Sequence, residues 1–182
     1  MNIAFRAIPD RVFVGLSLTV MVLTWAMAIW VYPDLPAKIP GHFGPSGQPD
    51  AYVDRTVWTV ILPALLQVGL TGLFWWIYRH PQYSNIPSTV MITMMPEPYR
   101  GQLYRILRHL AVVMMLFINI LFAHISLTTL SVSLGLSDGL NPWLMGGILL
   151  ALFGFIGLTT VRLFRIAKLG VVALRANPPT AA

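Results

Sequence analysis

The side chains best suited to chemistry or recognition are concentrated in one polar segment, residues 32–55, which reads YPDLPAKIPGHFGPSGQPDAYVDR. It carries His42 and three of the six acidic residues of the chain, Asp34, Asp50 and Asp54. An imidazole beside carboxylates can form a hydrogen-bonded pair, bind a metal ion or transfer a proton. We therefore expect this segment to carry the function and the rest of the chain to hold it in place.

The prolines and glycines of this segment predict an ordered loop rather than a helix. Four prolines that would each stop a helix occur within it: Pro33, Pro36, Pro40 and Pro45. The sequence Pro45-Ser46-Gly47 is typical of a turn in which Gly47 adopts a positive φ. Such a turn would bring His42 and Asp50 close together.

Three interpretations of the predicted His42–Asp50 pair remain open. The pair could pin the loop onto the scaffold, contribute to a recognition surface, or bind a metal ion together with Asp54. Because a zinc site normally has three or four protein ligands of firm spacing, we predict neither a metal ion nor a cofactor. Ser46 is not part of a nucleophile elbow, so we predict no enzyme. The candidate partner-binding residues are His42, Phe43, Gly47, Asp50 and Tyr52.

Composition indicates that this loop is held by a membrane scaffold. Of 182 residues, 57% are hydrophobic and only 10% are charged, whereas soluble domains carry about 25% charged residues. The absence of cysteine excludes disulfides and thiolate metal sites. The net charge of +6 follows the membrane topology, so we predict no nucleic-acid partner.

The apolar runs predict an all-α integral membrane protein, a bundle of four transmembrane helices in a single domain, 1–182. About 20 residues of helix cross a hydrocarbon core of about 30 Å. The predicted spans are 12–31, 57–78, 110–134 and 143–164. They are separated by an outer loop, 32–56, and a connection, 79–109, whose apolar residues suit a segment on the membrane surface or tucked under the bundle. A basic tail, 165–182, follows the fourth span.

The distribution of basic residues predicts the orientation. Ten of the twelve Lys and Arg residues, Arg6 among them, precede the first span, lie between the second and third, or follow from the end of the fourth. We expect the protein in the cytoplasmic membrane of the cell, and the positive-inside rule then predicts that both termini lie in the cytoplasm. Loop 32–56 and turn 135–142 face outward. Four basic residues are expected to contact anionic lipids of the cytoplasmic leaflet: Arg105, Arg108, Arg162 and Arg165.

Two of the spans carry residues of special interest. A histidine inside a span is costly and is a candidate functional residue. We therefore single out an intramembrane polar cluster in the third span, Asn119, His124 and Thr128, which interhelical hydrogen bonding would explain equally well. The fourth span carries small residues that favour close helix packing, within the bundle or against another chain. These residues are Gly147, Ala151 and Gly154.

The outer loop resembles the signature of a domain of unknown function found in SdpI-like proteins, the bacterial immunity and signalling membrane proteins. The pattern is L-P-x-x-I-P-x-H-F-x-x-x-G-x-P-D followed by Tyr. The residues that carry the resemblance are Leu35, Pro36, Ile39, Pro40, His42, Phe43, Gly47, Pro49, Asp50 and Tyr52. Arg55 stands near the position where the pattern has Lys. The resemblance covers about 24 residues closely and the first two spans by position, and it implies a non-enzymatic immunity or signalling protein.

Three hypotheses for the function follow. In the first, the outer loop recognises an exported peptide or partner. In the second, the chain is a small accessory subunit of a larger membrane complex, or a homo-oligomer, that packs through span four. In the third, the chain is a membrane enzyme or metal protein that uses the His and Asp residues of the outer side.

Overall fold

The structure, a computed structural model, describes residues 9–84 and 89–176, and the side chains of 89–91 are not described. Four of the helices are long and apolar enough to cross a membrane, which confirms the predicted fold class of a multi-pass four-helix membrane protein. The order of elements is α1 (Asp10–Val31), β1 (Lys38–Phe43), β2 (Pro49–Asp54), α2 (Val57–Arg79), α3 (Thr89–Met94), α4 (Tyr99–Ser133) and α5 (Pro142–Ala176).

Helix α4 is the centre of the bundle. Helices α1, α2 and α5 all pack against it, whereas α1 and α2 make few contacts with each other. The burial pattern of α4 agrees with this position, because its buried residues lie on more than one side of the helix. These are Leu103, Leu107, Ala111, Val112, Val113, Met115, Asn119 and Leu130. The two strands and both connections to them lie at one end, which we call the hairpin end.

Helices α4 and α5 both extend beyond the predicted spans. Helix α4 begins at Tyr99 rather than near residue 110, and α5 continues to Ala176, about three turns past residue 164. Both extensions lie at the end of the bundle opposite the hairpin, and they are stable because their apolar side chains bury one another. The buried cluster contains Ile92, Met95, Leu103, Leu107, Leu163 and Ala167. Much of the predicted connection 79–109 is therefore helical, and two of its apolar residues, Ile92 and Met95, are buried against α4 and α5.

Local capping explains where the helices begin. Thr56 and Thr59 form a reciprocal capping box at the start of α2. The side chain of Asn141 accepts hydrogen bonds from the backbone N–H groups of Trp143 and Leu144 at the start of α5. Before α4, the Glu97 carboxylate accepts hydrogen bonds from Arg100 Nε at 2.9 Å and from the N–H of Gly101 at 3.1 Å. These bonds, the Arg100 bond first, hold the pKa of Glu97 below its ordinary value.

The end of the bundle opposite the hairpin, which we call the basic end, carries most of the positive charge. Arg105, Arg108, Arg162 and Arg165 are all exposed there. A pair that the sequence analysis missed closes the bundle at this end: His109 Nδ1 lies 2.9 Å from Asp10 Oδ1, and so joins α4 to the first turn of α1. Arg6 and residues 177–182 of the predicted tail lie outside the described residues.

Candidate functional site

The segment between α1 and α2 folds as a β-hairpin, an element that the sequence analysis treated only as an ordered loop. Strands β1 and β2 are antiparallel, with Lys38 opposite Asp54, Pro40 opposite Tyr52 and His42 opposite Ala51. The register shifts on either side of His42, which marks an irregularity typical of a β-bulge. Pro40 is accommodated because its position in the ladder requires no donor to β2.

The predicted turn at Pro45-Ser46-Gly47 is confirmed. Gly47 has φ +84°, in the left-handed region that favours glycine. The N–H of Gly44 donates to Gln48 O at 2.8 Å, and the N–H of Gly47 donates to Gly44 O at 2.9 Å. This tight connection sets the register that brings His42 beside Asp50.

His42 and Asp50 form a pair, as the spacing predicted. His42 Nδ1 lies 2.6 Å from Asp50 Oδ1, and the two side chains are 66% and 49% exposed. A surface pair of this kind adds little to stability, typically below about 1 kcal/mol. The two side chains therefore do little to hold the fold, and they remain accessible to a partner.

The interpretation of His42, Asp50 and Asp54 as one metal-ligand set is wrong. Asp54 lies opposite Lys38, at the far end of β2 from the His42–Asp50 pair. Across residues 9–84 and 89–176, no three His, Asp or Glu side chains are grouped closely enough to hold a metal ion. The pair thus lacks a third ligand among the residues described.

The tip of the hairpin is docked onto the connection between α4 and α5. The N–H of Leu140 donates to Gly47 O at 2.7 Å. A Cβ on Gly47 would overlap Leu140 O, and a Cβ on Gly139 would overlap Gly47 O, so both positions need glycine for this close approach. Gly47, predicted as a partner-binding residue, is instead buried in a contact within the chain.

Arg55 fixes the base of the hairpin. Its Nη1 donates to three backbone carbonyls, those of Leu35 at 2.6 Å, Pro33 at 3.1 Å and Tyr32 at 3.3 Å. The guanidinium also lies over the Tyr32 ring, 5.5 Å from its centroid. A buried apolar cluster beneath it anchors the hairpin to α1 and α4 through Val31, Leu35, Ile39 and Leu130. The sequence analysis noted that Arg55 stands near a Lys of the family pattern, but it did not predict this structural role.

The two strands of the hairpin have different surroundings. Strand β1 packs on α4, with Ile39 and Pro40 buried. Strand β2 is exposed from Asp50 to Asp54, and Tyr52 is 57% exposed. Phe43 is half-buried, so it is a weaker candidate for a recognition anchor than Tyr52. The accessible candidates are thus His42, Asp50 and Tyr52.

Within the bundle, Asn119 joins a hydrogen-bonded network with two residues of α2 that the sequence analysis missed. Asn119 Oδ1 accepts from Gln67 Nε2 at 2.9 Å, and Asn119 Nδ2 donates to Thr71 Oγ1 at 3.0 Å and to Met115 O at 2.8 Å. All three side chains of this network are buried. An amide inside an apolar run, as Gln67 is, was a signal that could have found them.

The prediction that Asn119, His124 and Thr128 form one cluster is wrong. A helix turns 100° per residue, so His124 and Thr128 lie on the opposite side of α4 from Asn119. A cavity lies beneath the hairpin between α1, α2 and α4, and its lining from α4 includes Ser126 and Thr129 but neither His124 nor Thr128. His124 Nε2 is buried and has no hydrogen-bond partner among the described residues.

The small residues of span four do not pack within the bundle. Gly147, Ala151 and Gly154 are exposed. A Cβ at Gly147 or Gly154 would meet nothing within 4 Å. Helix α5 contacts α4 through its other side, where Leu163 and Ala167 are buried. The interpretation as packing inside the chain is therefore wrong, and the alternative of packing against another chain stays a prediction.

The hairpin lies in a segment that is similar to a sequence family of unknown function. Residues 19–66, most of α1, the hairpin and the first part of α2, match the model of a domain of unknown function (DUF1648). The chain is also 33% identical over 100 residues to an uncharacterized protein of Archaeoglobus fulgidus, across 50% of this chain. The chain spans about half of that relative, 54% of its length. No solved structure matches the chain.

Proposed function

We propose that the protein is a non-enzymatic membrane receptor of the SdpI-like immunity or signalling type, whose hairpin recognises an extended exported peptide outside the cell. The observation that carries this proposal is the exposed strand β2, beside the accessible His42–Asp50 pair. The motif resemblance of the hairpin supports the same reading.

Strand β2 offers an unpaired edge to a partner. The N–H of Arg55 donates to Ala37 O at 2.8 Å, which makes these two residues a hydrogen-bonded pair of the antiparallel ladder. In an antiparallel ladder, hydrogen-bonded pairs alternate with non-hydrogen-bonded pairs. Tyr52 and Asp54 belong to non-hydrogen-bonded pairs, so their backbone N–H and C=O groups point away from β1. The carbonyl of Asp54 already accepts from Thr59 Oγ1 at 3.1 Å. Tyr52 therefore offers both a donor and an acceptor to an added strand.

The opposite edge of the hairpin is protected in two ways. Pro40 occupies the corresponding outward position on β1 and has no N–H to donate. Strand β1 is also covered by α4. An added strand would thus join β2 and not β1.

The charge of the hairpin end favours a basic peptide. Four of the six acidic residues are at this end: Asp34, Asp50, Asp54 and Asp138. Only Lys38 and Arg55 are basic there, and Arg55 is engaged with backbone carbonyls. Opposite charges directly across neighbouring strands stabilise pairing, so Lys or Arg residues facing Asp50 and Asp54 are expected in the bound peptide.

The proposal is tested by selecting peptides from a displayed random library against the full-length protein in nanodiscs. We expect enrichment of extended peptides with basic residues four positions apart. Tyr52→Pro removes the outward donor at the edge and should abolish binding, and Asp50→Ala should weaken it. Asp138→Ala, which removes an exposed acid at the same end but outside the hairpin, is the control. Equal binding to Tyr52→Pro and to the unsubstituted protein would contradict strand addition.

Variants of the His42–Asp50 pair test the function in cells. In a strain that depends on the protein for protection or signalling, His42→Ala and Asp50→Ala should remove the response without lowering membrane abundance. Reduced abundance alone would indicate that the pair only supports the fold.

A second candidate function, an accessory subunit of a larger complex, is favoured by one observation. Helix α5 presents Gly147, Ala151 and Gly154 on a side that nothing in the described chain covers. Small residues allow close helix approach in membranes. Purification from native membranes in mild detergent should then yield partner subunits of fixed stoichiometry, lost in Gly147→Leu and Gly154→Leu. Recovery of the unsubstituted protein without partner subunits, or of both variants with those subunits still bound, would remove this candidate.

A further inference from the structure

The His42–Asp50 pair can change its charge without changing the hairpin. The tip of the hairpin is held by the bond between Gly47 and Leu140 and its base by Arg55, so neither attachment involves the pair. His42 Nδ1 lies 2.6 Å from Asp50 Oδ1, and a carboxylate only accepts hydrogen bonds, so Nδ1 carries the hydrogen. Nε2 is then the nitrogen that takes up a further proton, and the pair stays together in both charge states.

Proton uptake by His42 changes the net charge of the pair from negative to neutral. Histidine is the side chain whose charge ordinarily changes between about pH 5 and pH 8. The His42 side chain is 66% exposed, so protons reach it directly from water. The pH of the water at the hairpin end therefore sets how much negative charge the pair presents.

Asp50 is the charged group that faces His42. In the part of the chain that the structure describes, it is the one hydrogen-bond or ion-pair partner of the His42 side chain. Lys38 and Asp54 stand opposite each other at the far end of the two strands. The other titratable or charged side chains of the hairpin, its base, the nearer half of α4 and the α4–α5 connection are Tyr32, Asp34, Tyr52, Arg55, His124 and Asp138.

We propose that protonation of His42 weakens the binding of basic peptides to the edge of β2, so that the hairpin binds them less tightly as the pH falls. This inference rests on the proposed function, because it concerns the same edge. Asp50 faces an added strand directly, whereas His42 lies on β1, one strand further away. With His42 neutral, a Lys or Arg of the peptide meets the charge of Asp50. With His42 protonated, it meets an ion pair without net charge, so His42 acts through Asp50.

Asp54 provides an internal reference for this switch. It lies on the same face of β2 as Asp50, since side chains two and four positions apart share a face of a strand, and it is expected to meet a second basic residue of the peptide. Lys38 stands opposite Asp54, and lysine keeps its charge between about pH 5 and pH 8. The strand partner of Asp54 thus has a constant charge, which confines the expected response to the His42 end of β2.

The test measures binding of the acetylated and amidated peptide Thr-Val-Lys-Thr-Val-Thr-Lys-Val-Thr to the full-length protein in nanodiscs of phosphatidylcholine. This peptide has two basic residues four positions apart and no group that titrates near neutrality. We expect a Kd about two- to fivefold larger at about pH 5 than at about pH 8, the effect of one opposite-charge pair across neighbouring strands. Asp54→Ala should weaken binding but keep this ratio of the two Kd values.

His42→Gln is the decisive variant, because glutamine can donate a hydrogen bond to Asp50 but takes up no proton. The ratio of its two Kd values should fall to about one, whatever its affinity. Equal Kd values for the unsubstituted protein at the two pH values, or a pH response that persists in His42→Gln, would overturn the switch and leave strand addition standing. Absence of binding at both pH values would contradict the proposed function, and this inference with it.

A second measurement needs no variant. NMR of isotope-labelled histidine follows the protonation of His42 with and without the peptide. Because linkage between two ligands is reciprocal, the bound peptide should shift this protonation to lower pH. An unchanged midpoint in the presence of saturating peptide would overturn the proposal, even if His42→Gln proves unfolded by thermal unfolding.

Discussion

Gly47, at the tip of the hairpin, accepts a hydrogen bond of 2.7 Å from the backbone N–H of Leu140, in the connection between α4 and α5. These residues are 93 positions apart in sequence. The contact ties the connection between the first two transmembrane helices to the connection between the last two. Together with Arg55 at the base, it holds the hairpin at both of its ends and presents β2 in one orientation.

The first prediction concerns this contact. Gly47→Ala places a Cβ against Leu140 O and imposes a positive φ on alanine. We expect release of the hairpin tip and a loss of about 1–3 kcal/mol, the usual cost of a strained backbone position. Hydrogen exchange of the hairpin and thermal unfolding measure it. Gly135→Ala has a positive φ but open space, and should cost less; equal effects of the two would show that docking adds nothing.

The second prediction concerns Arg55. Arg55→Met removes the donor to three carbonyls and should expose the base of the hairpin to protease, with a loss of about 1.5–3 kcal/mol for hydrogen bonds from a charged group. Arg55→Lys keeps a charged donor and should retain most of the protection. The rate of limited proteolysis within residues 32–56 is the measurement. Equal protection in Arg55→Met and Arg55→Lys would show that the clamp does not hold the hairpin.

The third prediction concerns the buried network. Asn119→Leu leaves Gln67 Nε2 and Thr71 Oγ1 without their partner and should destabilise the bundle by about 1–3 kcal/mol. Adding Gln67→Leu removes one of the unpaired groups, so the double variant should be less unstable than the sum of the two single variants. Unfolding in mild detergent provides the double-mutant cycle. His124→Leu, which breaks no hydrogen bond described in the structure, is the control.

The fourth prediction concerns orientation. The chain has no cysteine, so single cysteines report accessibility directly. Ser46→Cys, in the exposed turn of the hairpin, should react with an impermeant maleimide in intact cells. Ala176→Cys, at the end of α5, should react only after the membrane is permeabilised. The reverse pattern would place the hairpin in the cytoplasm and remove the proposal of an exported peptide.

The sequence alone determined the class of fold, a membrane protein with four spanning helices. Four long apolar runs leave no alternative to spanning helices, since each must satisfy its backbone hydrogen bonds internally in lipid. The turn at Pro45-Ser46-Gly47 and the pairing of His42 with Asp50 were also predictable, because both depend on local chain geometry at close spacing. The pairing of β1 with β2 was not predicted, because the prolines of this segment argue against strands. Pro40 is nevertheless tolerated in β1, since its position in the ladder needs no N–H donor.

Only the tertiary structure decided which faces of the helices meet. Residue type marked Asn119, His124 and Thr128 as polar within a span, but the packing of α2 on α4 gave Asn119 its partners and left His124 on the other side. Likewise, the glycines of α5 suit close packing, yet α5 meets α4 through Leu163 and Ala167. In hydrocarbon, both sides of an apolar helix are nearly equivalent, so periodicity carries little information about which side is buried. The same freedom leaves α1 and α2 apart over α4, and so creates a cleft that no segment of the sequence reveals.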